Sequence, residues 1–181
     1  MSDDTKSNVR LEEEDLRQVT LYAATCARKV LSIFETAHPL DPRPREAIAE
    51  AEAFGAGKRR TALLRTVAWA AHAAAREIGD GPAAHAAYAA SHAAAAAFLH
   101  PIASPHQIKH ILGSAIHQAL ALEVGALNAP KDGDATNEHL RWAARLAPVS
   151  VRSVLRRYPA PHPGRGRFNE LLSELDAELR G

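Results

Sequence analysis

The sequence predicts an all-α, single-domain bundle of about seven to eight helices organised around an alanine-rich helical hairpin. Three observations lead there. Apolar residues recur with a period near 3.6 through most of the chain, alanine dominates while aromatic residues make up only 5%, and prolines and glycines mostly fall between the periodic segments rather than inside them. No stretch alternates with the two-residue period of a strand. At 181 residues the chain is long enough to bury one core without disulfides or metal staples.

Residues 1–11 are polar and read as a disordered tail, followed by one helical domain over 12–181. A first helix, 12–37, carries Leu16, Val19, Ala23, Ala27, Val30, Leu31 and Phe34 on one face and ends before His38-Pro39, because the residue before proline avoids the helical region. The turn Pro39 to Arg45 offers Asp41 as a cap and Pro44 as a first-turn residue for a second helix, 44–54, which Gly55 and Gly57 close. A third, 60–78, places Leu63, Leu64, Val67, Ala68, Ala71 and Ala75 on its apolar side. The fourth and fifth, 82–100 and 105–127, form the alanine-rich hairpin; Ser104-Pro105 opens the fifth as N-cap and first-turn proline. Residues 128–134 form a loop, and helices over 136–146, 149–158 and 167–179 complete the chain.

Lys plus Arg (22) balances Asp plus Glu (21), leaving a net charge of +1, so nothing draws the whole molecule to nucleic acid or anionic membrane. Met1-Ser2-Asp3-Asp4 is no secretory leader, and the most apolar stretch, 83–99, is alanine interrupted by His85, Tyr88, Ser91 and His92, too weakly apolar to span a bilayer. A cytoplasmic protein without a membrane partner is expected, and the alanine and arginine usage suggests a bacterial, GC-rich source. The single cysteine, Cys26, reads as a small core residue.

Chemistry concentrates in the histidines. His106, His110 and His117 lie within a stripe about 40° wide on the fifth helix, and His85 and His92 differ by about 20° on the fourth, with Tyr88 beside them. Three uses are open: hydrogen bonds locking the helix pair in register, acid/base contacts to a small ligand, or metal binding. For the last, His106 and His110 form the one suggestive pair; it needs a third ligand and supporting contacts around the ligands, and the fifth helix has no carboxylate between Ser104 and Gln118, so no metal and no cofactor are expected. On the third helix Trp69, His72 and Arg76, with Arg65 one turn before, share a face that would suit an anionic ligand or an acidic loop; the competing expectation is that Trp69 is core and the arginines border it. A small-molecule pocket would be lined by Trp69, His72, Tyr88, His92 and His110. The C-terminal arginines, Arg141 to Arg167, lack any nucleic-acid motif and read as a solvated face. Phosphate loops, dinucleotide fingerprints, nucleophile elbows and paired carboxylates are absent.

Asp41-Pro42-Arg43-Pro44-Arg45-Glu46-Ala47-Ile48, the run Ala70 to Arg76, and Phe98-Leu99-His100-Pro101, in this order, resemble bacterial immunity proteins with an Imm-5-like domain, across about residues 12–125. The resemblance implies an α-helical domain (the Imm-5-like part over 12–127, further helices over 128–181) that neutralises a protein toxin by direct contact. It names no catalytic residues; of the turn, Asp41, Arg43 and Arg45 are the distinctive side chains. The expected function is therefore a non-catalytic immunity-like binding protein. The alternative is a small-molecule-binding protein or enzyme of bacterial secondary metabolism with a histidine-lined pocket. Self-association through an alanine-rich face into a homodimer is a further expectation.

Overall fold

The computed structural model describes residues 8–125 and 135–181. Among these residues the chain forms eight α-helices: α1 (Glu13–Ala37), α2 (Arg43–Gly55), α3 (Ala62–Ile78), α4 (Pro82–Ala95), α5 (Ile108–Gly125), α6 (Ala135–Leu146), α7 (Val149–Arg156) and α8 (Arg167–Arg180). No strand forms among them beyond an isolated antiparallel bridge between Asn8 and Ile102, and no helix is long and apolar enough to cross a membrane. The expected loop at 128–134 lies outside the described residues, as do residues 1–7 of the expected tail. Residues 8–11 depart from that expectation: Val9 is buried and its N–H donates to the Pro101 carbonyl at 2.9 Å.

α4 is the axis of the bundle, packed by α1, α2, α3 and α5. Alanine makes this possible. Ala86, Ala87, Ala89, Ala90, Ala93 and Ala94 are all fully buried, so neighbouring backbones approach α4 from several sides, at little cost in side-chain entropy. The alanine surface offered by the sequence for self-association is thus covered within the chain. Larger side chains, Phe34, Phe54, Ile48, Leu64, Ile111 and Leu112 among them, fill the remaining interior. Cys26 is buried beside Tyr22, and burial pushes its thiol up to about 12, which removes it as a nucleophile.

The hairpin ends differ from simple helix. α4 gives way to a 3₁₀ turn at Ala96–Phe98, and α5 is preceded by another at Pro105–Gln107, where the Ser104 hydroxyl accepts from the His106 N–H at 3.3 Å. Pro101 bars a continuous helix to residue 100. The conspicuous Asp41–Arg45 turn is a clamp: Asp41 accepts from the Arg43 N–H at 3.1 Å, Arg43 pairs with both Asp41 and Glu77 of α3 at 2.7 and 2.6 Å, and Arg45 pairs with Glu35 of α1 at 2.7 Å. Its charged residues hold α1, α2 and α3 together.

The C-terminal arginines remain on a largely exposed face, and several are at the same time engaged within the chain. Arg152 donates to the Ala144 and Ala147 carbonyls that end α6, at 2.6 and 3.3 Å, and Arg156 to the Leu179 and Arg180 carbonyls that end α8. Cations at helix C-termini satisfy carbonyls that have no partner inside the helix. Arg157 pairs with Asp15 at 2.6 Å and donates to the Arg10 carbonyl, which ties α7 to the start of α1; Arg167 joins α8 to Glu123 of α5 at 3.1 Å.

Candidate functional site

α4 and α5 run antiparallel, so their histidine lines meet with two different outcomes. Toward the start of α4, the rings lock together. His85 Nδ1 lies 3.1 Å from His117 Nδ1, close enough that one nitrogen donates and the other accepts. His117 also stacks on Tyr88 and His92, at centroid separations of 5.0 and 5.2 Å, and meets Phe168 of α8 at 5.0 Å. Burial, followed by the neighbouring His92 and His85, holds His117 well below the ordinary imidazole range, and burial lowers His85.

Toward the end of α4 the same two lines part around a cavity of about 480 Å³, lined by Arg65, Ala68, Trp69 and His72 of α3, by Ser91, His92 and Ala95 of α4, and by Phe98, His100 and His110. The volume falls within the range of small-ligand sites. Arg65 lies over the Phe98 ring, 4.6 Å from its centroid, with Arg60 at 5.6 Å on the same ring. His100 is positioned through its backbone: its N–H donates to Gln107 Oε1 at 3.0 Å and its carbonyl accepts from the Tyr158 hydroxyl at 2.8 Å.

His92 owes its place to Gly113. An added Cβ at Gly113 would stand 2.5 Å from His92 Nδ1 and 2.8 Å from Cε1, so the ring occupies the space that any larger residue on α5 would take. Burial, then the nearby His110, His72 and Lys109, pushes His92 down to about 4; His110 is lowered by burial and by His100. The Nδ1 atoms of both His92 and His110 are buried without a hydrogen-bond partner. Gly113→Ala is expected to cost about 1–2 kcal/mol, overpacking outweighing the gain in helix propensity, and to displace the His92 ring. Urea denaturation would measure the first, and the imidazole resonances of His92 the second.

Of the residues that the sequence nominated, the structure gathers Trp69, His72, His92 and His110 around the cavity. Tyr88 stands behind its wall, with His72 edge-on at 5.3 Å. His85 and His117 belong to the locked cluster. His106 is exposed on the 3₁₀ turn, where the winding is tighter than in the α-helix that carries His110, and no group of three or more His, Cys, Asp or Glu is placed to hold a metal ion among the described residues. Arg76 is exposed and borders a separate shallow recess with Glu77, and Asp41, Arg43 and Arg45 serve the helix clamp. Trp69 corrects an expectation: it is 65% exposed rather than core, because it lies on the flank of α3 opposite Leu64, Ala71 and Ala75. Ser91, Phe98 and His100 were missed. His100 left a trace, as the last residue before the proline that closes the hairpin's first arm.

Chemically, the cavity joins aromatic and aliphatic walls to imidazoles and one guanidinium, with no carboxylate in its lining. That arrangement receives an anionic or hydrogen-bonding group. Among the described residues, no aspartate or glutamate in the lining orients one of its histidines.

No curated protein and no solved structure matches the chain. Residues 10–149 match the family described as Imm-5 like putative immunity protein, a segment holding the whole α1–α5 bundle and every residue that lines the cavity, and the chain belongs to that family.

Proposed function

We propose that this chain is a non-catalytic immunity-like binding protein that neutralises a toxin by direct contact, and that the outer face of α3 is the contact surface. Family membership supports the immunity role. The observation that carries the surface is Trp69, 65% exposed in a chain whose other large aromatic side chains are buried or half-buried. Arg65, Trp69 and Arg76 lie within an arc of about 40° on α3, and neither arginine pairs with a carboxylate among the described residues. Exposed tryptophan flanked by arginine is the composition of an interface anchor, and the local charge selects an acidic partner although the net charge is only +1.

A second reading, a small-molecule-binding protein of bacterial secondary metabolism, is favoured by the histidine-lined cavity beneath that face. The two separate by experiment. Co-expression with the products of the genes flanking its own is expected to reveal one that is toxic alone and tolerated with this chain. Trp69→Ala with Arg65→Glu, both at exposed positions, weakens the contact by about 30-fold or more and abolishes rescue. Full rescue by that folded double variant, or no flanking product that the chain neutralises, overturns the reading.

A further inference from the structure

We propose that the cavity between α3, α4 and α5 is a binding site for a small aromatic carboxylate, its ring held among Trp69, Phe98 and His72 and its carboxylate received by Arg65 beside the rings of His92 and His110. The site rests on the small-molecule reading and shares Trp69 and Arg65 with the proposed toxin surface; toxin rescue and small-ligand calorimetry test the two separately.

Size and wall chemistry set the class of ligand. About 480 Å³ accommodates one or two fused rings with a short polar substituent, and its indole, phenyl and imidazole faces stack on planar groups. Charge sets the sign. The lining holds a guanidinium and four imidazoles but neither aspartate nor glutamate. Arg65 is kept at the mouth by Phe98, 4.6 Å away, instead of by a carboxylate. A cationic ligand would find no counter-charge there.

The buried nitrogens supply the second, independent observation. His92 Nδ1 and His110 Nδ1 have no partner and are shut off from solvent, His92 Nδ1 against Gly113 of α5, and a buried polar atom without a partner costs free energy that is recovered when a ring turn brings it to a ligand. His92 faces His110 and Lys109 from α5 and His72 from α3, while His110 faces His100. Every one of these side chains is a base or a cation, and against them stands the Lys109 backbone, whose hydrogen bond favours the His92 cation; the balance disfavours protonating either ring while the site is empty. A carboxylate reverses that sign and draws a proton onto the site with it. Binding is therefore proton-linked: tighter as the pH falls from 8 toward 6.

Calorimetry on the full chain with naphthalene-2-carboxylate, its carboxamide and the corresponding aminomethyl cation tests the assignment. The carboxylate is expected to saturate at one per chain, with the other two at least about tenfold weaker. Its affinity is expected to fall about fivefold or more between pH 6 and pH 7.5, since one linked proton gives up to about tenfold per pH unit. Arg65→Gln, at an exposed position, should erase the preference for carboxylate over carboxamide, and His110→Gln should flatten the pH dependence. Equal binding of all three probes, tightest binding of the cation, or no saturation by any of them overturns the proposal. So would saturation by an acidic aromatic peptide such as acetyl-Asp-Phe when naphthalene-2-carboxylate does not bind, since the cavity would then serve a protein partner.

Discussion

Ala90→Leu is expected to destabilise the protein by about 3 kcal/mol, whereas Ala95→Leu, five residues along the same helix, should change stability by less than about 1 kcal/mol. Both substitutions add the same atoms to α4, and the two residues have similar intrinsic helix propensity. They differ in what receives the added carbons. Ala90 has no exposed surface, on a helix that α1, α2, α3 and α5 approach together; a leucine can enter only if backbones move apart, and close-packed interiors resist that. Ala95 lines the cavity, so its leucine enters open space and gains apolar burial. Against a total stability of roughly 5–15 kcal/mol for a typical domain, the first change is large. Equilibrium urea unfolding would measure both, with unchanged slope confirming that the native state alone is affected. Should Ala90→Leu fall within 1 kcal/mol of the parent, alanine on α4 is not setting the interhelical spacing. Ala95→Leu should also weaken naphthalene-2-carboxylate binding by about tenfold or more, since it fills the space the ring requires.

The same helix shows what a sequence can and cannot convey. Helix limits were legible at several marks of proline or glycine: Gly79 to Pro82 between α3 and α4, Gly164 to Arg167 before α8. They blurred at residues 96–107, where α-helix yields to 3₁₀ turns through local backbone choices that periodicity does not register. The histidine lines were legible as lines, since direction on one helix follows from spacing. Whether they would enclose space depended on the axial offset of α4 against α5 and on the approach of α3 and α8, which are long-range properties of the packed bundle. Hence the locked end, with Phe168 against His117, and the open end, with Trp69 over His72, looked alike in the sequence. Trp69 was a different case. Its direction on α3, about 160° from the centre of the arc that holds Leu64, Val67, Ala71 and Ala75, already pointed away from the core. Residue type, weighed above geometry, led to the wrong expectation.

Acidification between pH 6.5 and 4.5 is expected to lower the melting temperature steeply, before carboxylate protonation contributes. His92 sits at about 4 in the folded chain against 6.5 when unfolded. The unfolded state therefore binds a proton over a range in which the folded state does not, and stability is complete above about pH 6.5 and declines as pH falls, until the folded value is passed. A displacement of that size is worth on the order of 3 kcal/mol by pH 4, at about 1.4 kcal/mol for each pH unit. Burial lowers His85, His110, His117 and His139 as well, so their losses add in the same direction. In the His85–His117 pair, a second proton would set two donors against each other across 3.1 Å. Asp15, Asp41 and Glu77, each held below its usual value by an arginine, make their own loss only at still lower pH, leaving the interval from 6.5 to 4.5 to the histidines. Thermal unfolding followed by circular dichroism at half-unit steps would trace it, and His92→Gln should flatten the curve whatever it does to stability at pH 7.5. A melting temperature constant from pH 7.5 to 4.5, or a slope unaltered by His92→Gln, would mean that these imidazoles are more accessible to solvent and protons than their packing implies. Saturating naphthalene-2-carboxylate should shift the onset of destabilisation to lower pH, because a bound anion stabilises the protonated folded state by mass action; the cavity and the acid sensitivity of the fold then share a cause, imidazoles such as His92 and His110 whose side-chain neighbours are bases and cations.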